Sequence, residues 1–353
     1  MNITSKDIFD AVEQNDLAAV KKFVEINGAN ETITNSFGQT AAHIAAKHGN
    51  LPIIRYLLNK NTSFVKVKDR WNQSVLHLAV QNGTLEVVEY LVNTCNADIL
   101  ESDNFFTYTP CPHIAAAMGH VEVLKFFLTE KKIDANLKNG SGQSCAFSAA
   151  AYSHFPIVKY LAEETNANLN MTDDNGQTIL HVCASTGDLK IPKYLLDEKM
   201  LTFDVNCRDE LGETILNRVA TFKNYDFIKY FVDKKNAKID IPNNEGRTPL
   251  HAACSSGDLK SVKFLVEKGA DLESTDCEGH KPLEVTTDKK VLKYLEKVSN
   301  NKNHRERRFA KAVPPIQKAH EWRSNFENSL FVHGPVLVNL LDNFTALSVP
   351  KLF

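Results

Sequence analysis

Residues 244–270, NEGRTPLHAACSSGDLKSVKFLVEKGA, form a self-contained pattern of two short helices joined by tight turns. Pro249 suits the first turn of a helix, because the N–H that proline lacks has no helical partner there. Gly257 ends that helix, since glycine adopts the left-handed conformation at little cost. Leu259 and Val262 then begin an apolar run at helical spacing, which predicts a second helix. Neither helix can bury its apolar stripe alone, so the pattern predicts neighbours of the same shape.

Copies of this pattern recur in phase along the chain. The position of His251 is filled in turn by His43, His77, His113, Phe147, His181, Asn217, His251 and Glu284. The gaps between these residues are 34, 36, 34, 34, 36, 34 and 33 positions. The segments around them read GQTAAHIAA, NQSVLHLAV, PCPHIAA, GQSCAFSAA, GQTILHVCA, GETILNRVA, GRTPLHAAC and GHKPLEV, starting at residues 38, 72, 110, 142, 176, 212, 246 and 279.

A period near 33 residues with a T-P-L-H-x-A core is the signature of the ankyrin repeat. On these segments the chain resembles the ankyrin-repeat family over residues 5–297. The resemblance implies an all-α fold, a solenoid of stacked helix-turn-helix units with β-turn fingers, followed by a non-repeat C-terminal tail. We expect about nine units in residues 5–297, with the first and last acting as caps. In the last unit we expect a first helix shortened to PLEVTTD (282–288) and a closing helix over VLKYLEKV (291–298).

Residues 298–353 break the period and form a basic, then apolar, C-terminal extension. This extension carries a net charge of +4, whereas residues 1–297 carry −6. Such an asymmetry indicates a charged partner without identifying it. The extension is expected to pack along the solenoid, to bind a partner, or to begin a larger domain.

Composition and cysteine usage are typical of a soluble cytoplasmic protein. Of the 353 residues, 43% are hydrophobic and 24% charged, with neither a secretory leader nor a run of 18 uncharged apolar residues. The seven cysteines are scattered singly, which predicts reduced thiols. The cluster Arg305, Arg307 and Arg308 makes the nucleus the alternative location. Nucleic acid is not an expected partner, because the net acidic array would repel phosphate.

The chemistry-bearing residues favour structural roles over catalysis or cofactor binding. Successive repeat histidines would stand a whole unit apart, too far to share a metal with bonds of about 2.0–2.1 Å. The resemblance implies that this position bridges adjacent units by hydrogen bonding. Residues 140–145, GSGQSC, superficially resemble a phosphate loop or a nucleophile turn, but they lack the P-loop lysine and match the repeat turns in phase. We therefore predict no enzyme activity, no cofactor, no metal and no small-molecule substrate.

Large aromatic residues at successive turn tips give the strongest functional signal, since turns usually favour small polar residues. The tip residues predicted to bind a partner are Phe37, Arg70, Trp71, Phe105 and Phe106. The ends of the first helices would form the floor of the same groove, with Lys47, His48, Gln81, Asn82, Met118, Tyr152 and Phe222. Exposed apolar patches mark interaction sites, and Trp and Arg are enriched among interface hot spots. The alternative is that Trp71 and Phe106 fold back on their own helices.

The sequence thus predicts a non-catalytic scaffold that binds another protein through its concave face and turn tips. Two alternatives stay open. The first is a regulatory or targeting adaptor that acts through residues 298–353, for example in ubiquitin transfer or as the cytosolic part of a channel. The second is the N-terminal part of a longer ankyrin-containing enzyme. Fold alone does not choose among them, because function resides in the site.

Overall fold

Paired short helices account for most of the molecule. The computed structural model describes residues 5–28, 30, 32–103, 108–199 and 201–312, with side chains described between residues 8 and 300 of those ranges. The α-helices are α1 Ser5–Glu13, α2 Leu17–Asn27, α3 Ala41–Lys47, α4 Leu51–Lys60, α5 Val75–Asn82, α6 Leu85–Asn93, α7 Cys111–Met118, α8 Val121–Lys125, α9 Cys145–Ala151, α10 Phe155–Glu164, α11 Ile179–Thr186, α12 Lys190–Lys193, α13 Ile215–Thr221, α14 Tyr225–Lys235, α15 Pro249–Ser256, α16 Leu259–Glu267 and α17 Lys289–Ala312. A 3₁₀ turn covers Thr62–Lys66, and π-helical segments Phe126–Glu130 and Tyr194–Glu198 extend α8 and α12.

The helices form a stack of two layers, as the repeat pattern predicts. We number units 1 to 8 by the pairs α1–α2 to α15–α16, and α17 closes unit 9. The first helix of each unit packs on the first helices of its neighbours, and second helices follow one another in the same way. Their apolar faces are buried, for example Leu76 in α5 and Leu91 in α6, each about 1% exposed or less. Among the described residues, extended backbone pairs only as two isolated bridges, so the all-α solenoid predicted from the sequence is confirmed.

Several helices begin where Asp, Ser or Thr side chains cap their first backbone N–H groups. Asp16 accepts the Ala19 N–H at 2.9 Å and so begins α2. Five first helices begin with a capping box, in which the side chain of the Ser or Thr cap accepts the backbone N–H of the residue three positions later, and that residue's side chain accepts the backbone N–H of the cap. The five pairs are Thr40 with His43, Ser74 with His77, Thr178 with His181, Thr214 with Asn217, and Thr248 with His251.

Unit 9 differs from the sequence expectation. Its predicted first helix is not formed, and residues 282–285 make a turn instead. Asp288 accepts the N–H groups of Lys290 and Val291 and thereby starts α17 at Lys289, which leaves too few residues for an earlier helix. The chain divides into compact units Met1–Leu292 and Lys293–Phe353, so the expected boundary after residue 297 lies within α17.

The second helices carry cross-unit ties that the sequence did not indicate. A basic residue of one unit stands over the aromatic ring of the next, at 5.2 to 5.8 Å from its centroid, which is the geometry of a cation–π contact. The pairs are Arg55 over Tyr90, Lys125 over Tyr160, and Lys193 over Tyr230. These basic residues thereby join neighbouring units.

Within the described ranges, no helix combines the length and the apolar composition needed to cross a bilayer.

Candidate functional site

Each fully described turn between units is a five-residue finger built by one Asn or Asp. The N–H of its first residue donates to the C=O of its fifth, as Asn35 does to Gln39 at 2.9 Å. The Asn35 side-chain oxygen also accepts the N–H groups of Phe37 and Gln39, both at 2.9 Å. This arrangement is an Asx turn. The fully described fingers are 35–39, 69–73, 139–143, 173–177, 209–213, 243–247 and 276–280.

The finger tips are joined to one another by backbone hydrogen bonds. The Arg70 N–H donates to the Phe37 carbonyl at 3.1 Å, and the Asn244 N–H donates to the Leu211 carbonyl at 2.9 Å. Four further tip-to-tip bonds of this kind occur among the described residues. The row of tips therefore has a spacing set by the backbone, whatever side chains the tips carry. We call the surface formed by the tips and the ends of the first helices the finger face.

Two aromatic rings meet at the start of the finger face. Phe37 and Trp71 stack with centroids 5.6 Å apart and planes 25° from parallel. Phe37 is 50% exposed and Trp71 is 37% exposed, so a broad apolar surface remains in contact with water. Gly38 permits this close approach of the fingers, because its φ of +76° disfavours any side chain and a β-carbon at this position would lie only 3.2 Å from the Arg70 nitrogen. Trp71 therefore lies against the ring of the neighbouring finger.

The predicted floor residues lie at the ends of the first helices, and several also join units. Lys47 and His48 are exposed at the end of α3, and Gln81 and Asn82 lie at the end of α5. The Asn82 side chain donates to the Lys47 carbonyl at 3.0 Å. His120, two positions beyond the half-buried Met118, donates to the Gln81 carbonyl at 2.9 Å. These bonds engage the Lys47 and Gln81 carbonyls, so the side chains of Lys47 and His48 stay exposed on the surface.

The remaining predicted residues are spread farther along the finger face. Tyr152 in unit 5 and Phe222 in unit 7 are 55% and 54% exposed. Phe105 and Phe106 lie outside the described residues. Two exposed apolar tips were missed as site residues, Tyr108 at 64% and Leu211 at 65%. The signal for Leu211 was present in the sequence, as a leucine at a tip position where other fingers have small polar residues.

A notch separates units 7 and 8 on the finger face. Its volume is about 290 Å³, and Asn217, Thr221, Ser255 and Ser256 line its floor. Glu213, Glu245 and Arg247 line its finger side. Burial raises the pKa of Glu213, and the positive charge of Arg218 opposes that rise. Sequence reasoning did not predict this notch, because its walls come from segments that are about 30 residues apart.

The repeat histidines hold the finger face together from beneath. Nδ1 of His43 accepts the N–H and hydroxyl of Thr40, so its proton lies on Nε2, which donates to the Gln73 carbonyl at 3.2 Å in the next unit. Corresponding cross-unit bonds are made by His77, His113, His181 and His251. Asn217 reproduces the pattern with an amide, whereas the ring of Phe147 cannot hydrogen-bond. The predicted bridging role is therefore confirmed.

Burial keeps these imidazoles neutral. It lowers the pKa of His43 and of His113 to about 4 in each case. The pKa values of His77, His181 and His251 are lowered as well, with burial as the largest cause. A buried, neutral imidazole is poorly placed for general acid–base work at neutral pH.

A set of possible metal ligands and a buried thiol are both held by contacts within the fold. The ligand atoms of Asp276, Glu278 and His280 lie within 4.8 Å of one another, at the last finger. The Asp276 carboxylate is already used, because it accepts the Glu278 and His280 N–H groups and faces Arg247 at 3.5 Å. Burial raises the pKa of the Cys145 thiol to about 12, so this candidate nucleophile stays protonated.

Comparisons with known proteins agree with the repeat architecture. A family model described as "Ankyrin repeats (3 copies)" matches residues 8–103, 112–209 and 198–276. Ankyrin repeat and SOCS box protein 11 of Danio rerio is 45% identical over 49 residues, which are 14% of this chain and 17% of that protein. Potassium channel GORK of Arabidopsis thaliana is 45% identical over 65 residues, or 17% of this chain and 8% of the channel. Alpha-latrocrustotoxin-Lt1a of Latrodectus tredecimguttatus is 43% identical over 54 residues, or 15% and 4%.

The matched part of the chain spans less than a fifth of each of these relatives. Ankyrin repeats generally serve as protein–protein interaction modules and are generally non-catalytic. Because the family model covers well over half of its residues, the chain belongs to the ankyrin-repeat family.

Proposed function

We propose that this chain is a non-catalytic scaffold that binds another protein through the finger face, with the Phe37–Trp71 stack as its anchor. The observation that carries the proposal is this stacked, solvent-exposed ring pair at two neighbouring tips. Aromatic residues dominate interface energetics because they bury a large area at little conformational cost. The exposed ends of α3 and α5 extend the same surface, and Arg70 beside Trp71 adds a charged hydrogen-bond donor.

The anchor proposal predicts a loss of binding without a loss of fold. Trp71→Ala should weaken partner binding by about 2 kcal/mol or more, which is roughly a 30-fold rise in Kd. The measurement is affinity capture with the full chain, followed by titration of each captured protein against wild type and variant. Phe37→Ala should have the same direction of effect, because it removes the other half of the stack.

A matched control separates the finger face from general stickiness. Ile26 is 61% exposed on α2, a second helix away from the fingers, so Ile26→Ala should leave capture unchanged. Helical circular dichroism and urea midpoints should be nearly equal among the three variants and wild type. Captured proteins that bind Trp71→Ala as tightly as wild type would rule out the anchor, as would unfolding of that variant.

A second proposal, a regulatory or targeting adaptor, is supported by the charge difference between residues 298–353 and the rest of the chain. Among the similar proteins, one is named for a SOCS box and another is a potassium channel. To test the adaptor, Arg305, Arg307 and Arg308 are changed together to Ala in the full chain. Loss of a captured protein that survives Trp71→Ala favours the adaptor, and an unchanged capture profile rejects it.

We also propose a cytoplasmic location, which the seven free cysteines support.

A further inference from the structure

The notch between units 7 and 8 has the size of a side-chain pocket. Its volume of about 290 Å³ lies at the lower limit of the range for small-molecule sites, roughly 300 Å³ upward. Thr221, Ser255 and Ser256 keep the floor low and polar, so a long side chain could enter between the two fingers. Both walls are held in place, because the Asn244 N–H donates to the Leu211 carbonyl and the Asn244 side chain donates to the Glu210 carbonyl.

Negative charge exceeds positive charge around this notch. Three arginines stand against four carboxylates: Arg218 and Arg247 pair with Asp209, Glu213, Glu245 and Asp276, and Arg208 donates to the Gly212 carbonyl and the Asn244 side-chain oxygen at the finger tips.

Arg218 is committed to the buried Asp209 at 2.8 Å and approaches Glu213 no closer than 3.9 Å. Arg247 is divided between Glu245 at 3.3 Å and Asp276 at 3.5 Å. Glu213, with only 23% of its side chain exposed, therefore has no cation closer than Arg218 among the described residues, and its carboxylate also bonds the Asn243 side chain. A half-buried carboxylate of this kind is stabilised by an incoming cation more than an exposed one is.

Two exposed apolar residues of unit 7 are close in sequence to residues that line the notch. Leu211, two positions before Glu213, is 65% exposed at the finger tip. Phe222, directly after Thr221, is 54% exposed at the end of α13. We propose that this notch is a second binding site, selective for a protein segment that places an Arg or Lys side chain between apolar residues. The basic side chain enters beside Glu213 and Glu245, and its apolar neighbours cover Leu211 and Phe222.

This site rests on the proposed scaffold function, but it is independent of the Phe37–Trp71 anchor, which lies on units 2 and 3. An exposed acidic surface alone would attract basic peptides without selecting their apolar residues. The combination of a cavity, a half-buried carboxylate and two exposed apolar side chains requires both chemistries in one short segment.

The test uses the full chain and a random 12-residue peptide library displayed on phage. Wild-type protein should enrich peptides that carry Arg or Lys within three positions of Leu, Ile or an aromatic residue. A synthetic peptide with the enriched sequence is then titrated by fluorescence anisotropy. Its Kd should rise at least tenfold for Glu213→Gln combined with Glu245→Gln, and also for Leu211→Ser. The conservative change Glu267→Gln, on the second helix α16, should leave Kd unchanged.

Several outcomes would overturn the inference. Failure to enrich any peptide, enrichment of peptides without a basic residue, or equal affinity for the Glu213→Gln, Glu245→Gln double variant would each do so. Peptides that lose binding to Trp71→Ala but not to the double variant would support the anchor and reject the notch.

Other occupants would also be detected. A dimer that the double variant dissociates in sedimentation would make a second copy of this chain the occupant. Tighter peptide binding after Arg305, Arg307 and Arg308 are changed to Ala would point to the chain's own basic segment, and either result replaces the proposed partner.

Discussion

Acid should destabilise this array through its buried histidines. One unit already has an asparagine at the histidine position, which shows how the titrating ring can be replaced. Asn217 occupies the histidine position in unit 7. Its side-chain oxygen accepts the Thr214 N–H at 3.2 Å and the Thr214 hydroxyl at 2.5 Å, and its amide donates to the Arg247 carbonyl at 2.9 Å. His43→Asn should therefore keep both the cap and the cross-unit bond while removing the titrating ring.

The magnitude follows from proton linkage. Burial lowers the pKa of His43 to about 4, from its ordinary 6.5 in an unfolded chain. At pH 7 both states are largely neutral, so the histidine adds no pH-dependent term. Below pH 6.5 the unfolded chain takes up a proton that the folded chain excludes until about pH 4, so stability is lost as the pH falls through this window. The loss is about 2 kcal/mol at pH 5 and approaches about 3.4 kcal/mol below pH 4.

The assay is urea unfolding at 25 °C, followed by circular dichroism at pH 7 and at pH 5. Wild type should lose about 2 kcal/mol more than His43→Asn between these two pH values. At pH 7 the variant should be less stable by about 1 kcal/mol, because the smaller side chain packs less well. Carboxylates, Glu213 among them, contribute equally to both proteins and cancel in the comparison.

The exposed His48 provides the matched control. His48→Asn makes the same chemical change at the end of α3, and its acid-induced loss should equal that of wild type. If His43→Asn loses as much stability as wild type on going to pH 5, the imidazole is not held neutral by burial and the reasoning fails. A wild-type array that gains stability at pH 5 would contradict it as directly.

Two further results are expected. Pro110 replaces the usual Thr or Ser cap of α7 and leaves the buried His113 Nδ1 without a hydrogen-bond partner in the described part of the chain. Pro110→Thr should therefore raise the free energy of unfolding by about 1 kcal/mol, a figure from which the lost rigidity of proline is already subtracted. Pro110→Val, which has no hydroxyl, should gain less in the same urea assay, and equal gains would reject the cap. Iodoacetamide at pH 8 should modify the exposed Cys277 in the native protein but spare the buried Cys145 and Cys254, because burial raises the pKa of each of these two to about 12. Mass spectrometry of the peptides reads this out, and rapid labelling of Cys145 would show that unit 5 opens easily.

Local residue patterns were enough to predict the units, because each unit is specified by about 33 consecutive positions. Caps such as Thr248, breaks such as Gly257, and the apolar spacing of α16 all act within one or two helical turns. The exposed tips Phe37 and Trp71 could be anticipated for the same reason. A bulky residue in an Asx turn has its backbone fixed and little local core to enter.

Apart from the histidine bridges that the family resemblance implied, contacts between units could not be predicted in the same way. The approaches of Arg55 to Tyr90 and of Lys193 to Tyr230 depend on how one unit sits on the next. The missing first helix of unit 9 is a related case, since PLEVTTD has a helical pattern but Asp288 commits the following residues to α17. In each case the deciding interaction involves a residue outside the segment in which the pattern was recognised.

Phe147 gives the stack a mechanical weak point. Every other described first helix from α3 to α15 has an imidazole or amide that ties it to the following unit, whereas α9 has a phenyl ring at that position. Units in a solenoid touch only their neighbours, so tension applied at the two ends passes through every junction in series. The interface between units 5 and 6 has one side-chain hydrogen bond fewer, so an array under tension should separate there first. Each of the two resulting parts would hold one of the two proposed binding sites.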